Sequence, residues 1–101
     1  MNGDLIFLSG KFFDVELPKE KRYLLKYFDT PIQKAYLLYV HLFGDSKNFV
    51  DHTGLYCGKT YLCNLIKKLE KIQRKHKEAK ESMDLEMLVV IETGKFICEK
   101  N

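Results

Sequence analysis

The sequence predicts a small α+β domain of winged-helix-like form, with two or three helices and short β-hairpins that include one at the C-terminal end. Three observations carry that expectation. Residues 62–72 keep their large apolar side chains three and four apart, the period of one helix face. Short apolar runs broken by glycine turns flank the helical stretches. The chain also finishes on Met87-Leu88-Val89-Val90-Ile91, a turn at Thr93-Gly94-Lys95, and Phe96-Ile97-Cys98. At 101 residues, 46% hydrophobic and 31% charged, the composition is that of a single globular domain over residues 1–101, large enough to fold without metal or disulfide staples.

Taken in order, the apolar runs 5–8 and 12–17 surround Ser9-Gly10 and predict a hairpin or one bent strand. Pro18 ends it, and residues 19–28 suit a short amphipathic helix with Tyr23, Leu24, Tyr27 and Phe28 inward. Thr30-Pro31-Ile32-Gln33 is a helix start: a threonine cap, proline at the first helical position and glutamine completing a capping box. That helix runs to Gly44, and its wide apolar face predicts a central position. Residues 48–56 are expected to form a second hairpin around Asp51-His52-Thr53-Gly54. Thr60 is expected to cap the long helix, which continues to about Ser82, and the third hairpin follows.

Several classes of function are disfavoured. No stretch approaches the ~20 apolar residues of a membrane span, so no membrane partner is expected. Met1-Asn2-Gly3-Asp4 lacks the basic start of a secretory signal, and three widely spaced cysteines (Cys57, Cys63, Cys98) fit reduced thiols in a cytoplasmic protein. Cys63 and Cys98 are expected to be packed thiols. Gly58-Lys59-Thr60 looks like the end of a phosphate-binding loop, but the upstream glycine that motif requires falls on Thr53, with Gly54 one residue too close. His52, Cys57 and Cys63 lack the paired spacing of a zinc site, so neither metal nor cofactor is expected. No cysteine–histidine or carboxylate pairing stands out as a catalytic set, His76 in its lysine-rich segment is expected to be solvated, and the chain is not expected to be an enzyme.

The strongest site-like feature is charge. Residues 59–81 hold eight Lys/Arg against three acids, a local +5 in a chain of net +3. Lys67, Lys68, Lys71, Arg74 and Lys75 are expected opposite the apolar stripe, with Lys59 at the mouth of the helix. Such a face suits phosphate contacts, so these six residues are the candidate nucleic-acid-binding set. A solvated helix face or an acidic protein partner would use the same pattern. Six tyrosines and seven phenylalanines are many for this length, and Tyr36 and Tyr39 are the candidates for a protein-interaction face, against core packing as the alternative.

The run FFDVELPKEKRYLLKYFDTPIQKAYLLYVHLFGDSKNFVDHTGLY resembles the N-terminal domain of RepA-type replication initiators from plasmids and mobile elements of Gram-positive bacteria. The resemblance covers about residues 12–69. It rests on Leu17-Pro18-Lys19, on Lys34-Ala35-Tyr36-Leu37-Leu38-Tyr39, and most specifically on Ser46 to Tyr56. Phe49 stands where that family usually has tryptophan. The resemblance implies a winged-helix module that binds DNA, often as a homodimer, in replication initiation or transcriptional control of a phage, plasmid or related mobile element. The alternative expectation is a phage-type inhibitor or adaptor, with anti-defence or replication-inhibitor roles, that binds a host protein.

Overall fold

The computed structural model describes residues 3–96. The fold is α+β: an antiparallel two-stranded hairpin and, among the described residues, five helical segments. Strands β1 (Asp4–Leu8) and β2 (Lys11–Val15) are followed by a 3-10 helix (Lys19–Lys26), α1 (Pro31–Phe43), α2 (Phe49–Thr53), α3 (Lys59–Glu81) and α4 (Leu85–Glu92). The chain divides into two compact units, Met1–Cys57 and Gly58–Asn101.

In the first unit, β1 and β2 pair from Asp4–Val15 to Leu8–Lys11 around a two-residue turn. Ser9 and Gly10 both sit at positive φ, 49° and 87°, the sign that a tight hairpin turn matched to strand twist requires. Serine rarely adopts that conformation. Its backbone N–H donates to the carbonyl of His52 at 2.7 Å, which ties the turn to the end of α2. The inward strand face buries Ile6, Leu8 and Val15. Helix α1 starts and stops as its sequence predicts: the Thr30 hydroxyl accepts from the Gln33 N–H, and Gly44 closes it at φ 85°. Four consecutive residues, Tyr36 to Tyr39, are buried, so α1 is the central helix of this unit. Its N-terminal turn is also pinned by an ion pair from Lys34 to Asp4 at 2.9 Å.

The expected hairpin over 48–56 is instead helix α2, ended by Gly54 at φ 73°. Burial decides the matter. Phe49 is fully buried and meets Tyr36 and Tyr39 edge-on at 5.8 and 5.6 Å, while the Thr53 hydroxyl donates back to the Phe49 carbonyl. One helical turn brings Thr53 back over Phe49 and closes that 2.7 Å bond, whereas an extended strand would hold the two residues about 13 Å apart.

In the second unit, α3 runs to Glu81 and buries Leu65, Leu69, Ile72, His76 and Ala79, a stripe at helical spacing. Gly58, not Thr60, is the N-cap, and it offers no side chain to the first-turn N–H groups. The C-terminal hairpin expected at 87–98 is corrected over its first strand, because Met87 to Ile91 belong to α4. Asp84 caps α4 by accepting the Met87 N–H at 3.1 Å, and Ile91 is fully buried. Of the expected second strand Phe96-Ile97-Cys98, Phe96 lies in no regular element, and Ile97 and Cys98 lie outside the described residues. Between the helices is a tight elbow. Met83 takes φ 58°, the Asp84 N–H reaches the Ala79 carbonyl at 2.9 Å, and the Met83 N–H reaches that of Lys80 at 3.2 Å. That is the Schellman pattern, with methionine in the position usually held by glycine.

Candidate functional site

Helix α3 sorts its cations into two groups. Lys67 and Arg74 are exposed on the side away from the buried stripe, as expected. Lys68, Lys71 and Lys75, spaced three and four apart, are half-buried and border the stripe along one flank instead of lying opposite it. Lys71 is the centre of the set: its neighbours at i−4, i−3, i+3 and i+4 are Lys67, Lys68, Arg74 and Lys75. Like charges at those spacings cost a helix up to ~0.5 kcal/mol each. Glu78 closes the ridge at its C-terminal end, with carboxylate oxygens 3.8 Å from both Arg74 and Lys75. Lys59 stands exposed in the first turn, a full two turns from the ridge, where its charge opposes the helix dipole.

The tyrosine face is a correction. Tyr36 and Tyr39 are only 2% and 1% exposed, so neither ring forms an accessible docking surface. They hold an aromatic core: Tyr36 stacks on Phe28 at 6.4 Å, and Tyr39 packs on Phe43 at 4.5 Å. The Tyr39 hydroxyl lies 2.7 Å from His52 Nδ1. Burial, reinforced by Asp45 and Asp51, pushes its phenol above the ordinary value of 10.0.

The apolar side chains that do face outward are elsewhere. On β1 and β2, the residues that alternate away from the core are Leu5, Phe7, Phe12 and Asp14, and Phe12 is 68% exposed. The rings of Phe7 and Phe12 pair across the strands at 4.9 Å. The signal was available in the sequence, because runs apolar at both odd and even positions cannot bury both faces of a lone hairpin. On the inward side, an open cavity of about 540 Å³ has Leu8, Phe13, Leu42 and Phe43 as apolar walls, with Ser9, Lys11 and His52 as its polar groups.

The other chemistry-bearing residues are scattered. Cys63 is exposed on α3, a correction to its expected packing, and Cys57 is half-buried with its thiol pushed up by desolvation. Cys98 lies outside the described residues. His76 is buried, not solvated, and its Nε2 lies 2.9 Å from Glu92 Oε2, joining α3 to α4. No group of three or more His, Cys, Asp or Glu could hold a metal ion among the described residues, and no described helix is long and apolar enough to cross a membrane. Comparison with family models, curated proteins and solved structures finds no match to this chain.

Proposed function

We propose that this protein is a small nucleic-acid-binding module whose α3 ridge lies against phosphates, with DNA as the polyanion. The observation that carries the reading is the setting of Lys71, which has a cation at each of its four helical neighbour positions. This arrangement weakens the isolated helix and is compensated when a polyanion neutralises it. Lys67, Lys68, Lys71, Arg74 and Lys75 are the contact set; Lys59, two turns away, is peripheral. The resemblance of residues 12–69 adds the biological setting: replication initiation or transcriptional control on a phage, plasmid or related mobile element, in the cytoplasm. A winged-helix comparison would have to do without a strand at 87–91, so phosphate contact along α3 rather than a wing is the core of the proposal.

The test is fluorescence anisotropy of a labelled DNA duplex titrated with protein between about 50 and 200 mM salt. The wild type should lose affinity steeply with salt, and replacing Lys67, Lys68 and Lys71 by alanine should lower the log–log slope by about 3. Absence of binding at the lowest salt, or an unchanged slope in the triple variant, overturns the reading.

A second reading, a host-protein adaptor, is favoured by one observation: the outward face of the hairpin, where Leu5, Phe7 and Phe12 are exposed beside a single carboxylate, Asp14, opposite Leu5. It would replace Tyr36 and Tyr39 as the docking residues. The double variant Phe7→Ser, Phe12→Ser should then abolish partner binding while DNA affinity is unchanged.

A further inference from the structure

The cavity beside the hairpin turn has an electrostatic character that can be derived from hydrogen-bond accounting. Tyr39 is almost wholly buried, and the partner within reach of its hydroxyl is His52 Nδ1 at 2.7 Å. A buried O–H proton left without an acceptor costs about 1–3 kcal/mol. The hydroxyl therefore donates and Nδ1 accepts, and the phenol, held above its ordinary value, keeps that proton throughout the neutral range. A neutral imidazole whose Nδ1 accepts carries its own proton on Nε2. His52 is half-exposed, lines the cavity, and has no hydrogen-bond partner for Nε2 among the described residues. Lys11 lines the same cavity, and no acidic side chain pairs with its ammonium among the described residues.

The walls are otherwise apolar. Phe13, Leu42 and Phe43 remain substantially exposed although they line a concave surface, and the Phe43 ring lies 5.6 Å from the His52 ring, tilted by 48°. At about 540 Å³ the cavity falls within the ~300–1,000 Å³ of small-ligand sites. Its polar groups offer protons and positive charge: an imidazole N–H, an ammonium and the Ser9 hydroxyl. The complement of that pattern is a carboxylate joined to a short hydrocarbon chain.

We propose that this cavity binds a free single-chain fatty carboxylate, its head group held by Lys11 and the Nε2–H of His52 and its chain laid along Phe13, Leu42 and Phe43. The site lies wholly within the first unit and is independent of the α3 ridge, so the two proposals stand or fall separately.

The experiment uses the full chain and sodium decanoate below its micelle threshold, with decanol as the uncharged probe, followed by calorimetry and by amide and imidazole nitrogen chemical shifts. Decanoate should saturate one site, move the amide resonances of Phe13, Phe43 and His52, shift the His52 Nε2 signal, and bind at least about tenfold more tightly than decanol. Lys11→Glu, a substitution at an exposed turn-side position, should weaken decanoate about tenfold and leave decanol unchanged, which also shows that the cavity is intact. Equal binding of the two probes, an unaltered decanoate affinity in Lys11→Glu, or shifts confined to α3 each overturn the proposal. So does association with anionic phosphatidylglycerol vesicles in the absence of any response to free decanoate.

Discussion

The two units solve the problem of a small core in opposite ways. Met1–Cys57 holds eleven of the thirteen aromatic residues and carries seven Lys/Arg against seven acids, so it is neutral. Gly58–Asn101 holds ten Lys/Arg against seven acids, which is the whole +3 of the chain, and its buried stripe is mostly aliphatic. Rings fill volume and hold one another by edge contacts, so the first unit can be built from short elements that would not persist alone. Helix α2 has only five residues, far below the ~12–15 an isolated helix needs, and it persists because Phe49 is enclosed by Tyr36 and Tyr39. The second unit relies on length and regular spacing, and it bears the electrostatic load. Packing specifies the first unit, and periodicity with charge specifies the second.

The largest test of that contrast is Phe49→Ala. Removing a fully buried ring should cost about 3–5 kcal/mol and speed amide exchange throughout α1 and α2, measured by urea melting and hydrogen exchange. A loss under about 1 kcal/mol would show that the aromatic cluster is not what holds the first unit.

Next comes Tyr39→Phe, which removes the proton donor to His52 and should cost about 1 kcal/mol at neutral pH. Its pH dependence has a definite sign. The Tyr39 phenol is held above 10.0 by burial, with Asp45 and Asp51 adding to it, so its contribution is complete below the unfolded-state value. It is lost as pH rises through the folded value. The stability gap between wild type and Tyr39→Phe should therefore narrow in alkali beyond pH ~10 and stay constant below it. A gap that widens in alkali contradicts the buried phenol.

In the second unit, Lys71→Glu should stabilise α3 by about 0.5–1 kcal/mol by replacing four like-charge neighbours with opposite-charge ones. The same change should reduce DNA affinity, and a variant that gains stability while keeping full affinity would remove the ridge from the contact set. Met83→Gly is the smallest effect, a gain of about 0.5 kcal/mol, since glycine relieves the left-handed backbone but gives back part of that in chain entropy. Thermal melting by circular dichroism resolves both.

Legibility followed the same division. Helix α1 was plain because its signals are local and redundant: a capping threonine, proline at the first turn, a terminal glycine. The stripe of α3 was plain because 23 residues give many periods to read. The errors fell on short segments. Phe49–Thr53 contains a β-branched valine and ends in turn-forming residues, and five residues hold too little of a 3.6 period to identify. Leu88-Val89-Val90-Ile91 is a continuous apolar run that fits a strand or a buried helix equally; Asp84 with Glu86 in the first turn was the helix signal. Of the candidate sites, the cation ridge could be located by counting, although its rotation toward the stripe depended on which residues are buried. The cavity could not be found from sequence, because Lys11, Phe43 and His52 meet only through the pairing of a hairpin turn with two separate helices.

The elbow at Ser82-Met83-Asp84 works as a phase setter. Its two backbone hydrogen bonds fix how many residues separate the last turn of α3 from the first turn of α4. One added residue would rotate everything after it by about 100°, carrying Glu92 away from His76 and Ile91 off its buried seat. Position 83 is a highly exposed side chain that touches little, so it tolerates many replacements, yet the spacing it occupies tolerates no insertion. At this point the chain is constrained in length and free in chemistry, the reverse of the aromatic core.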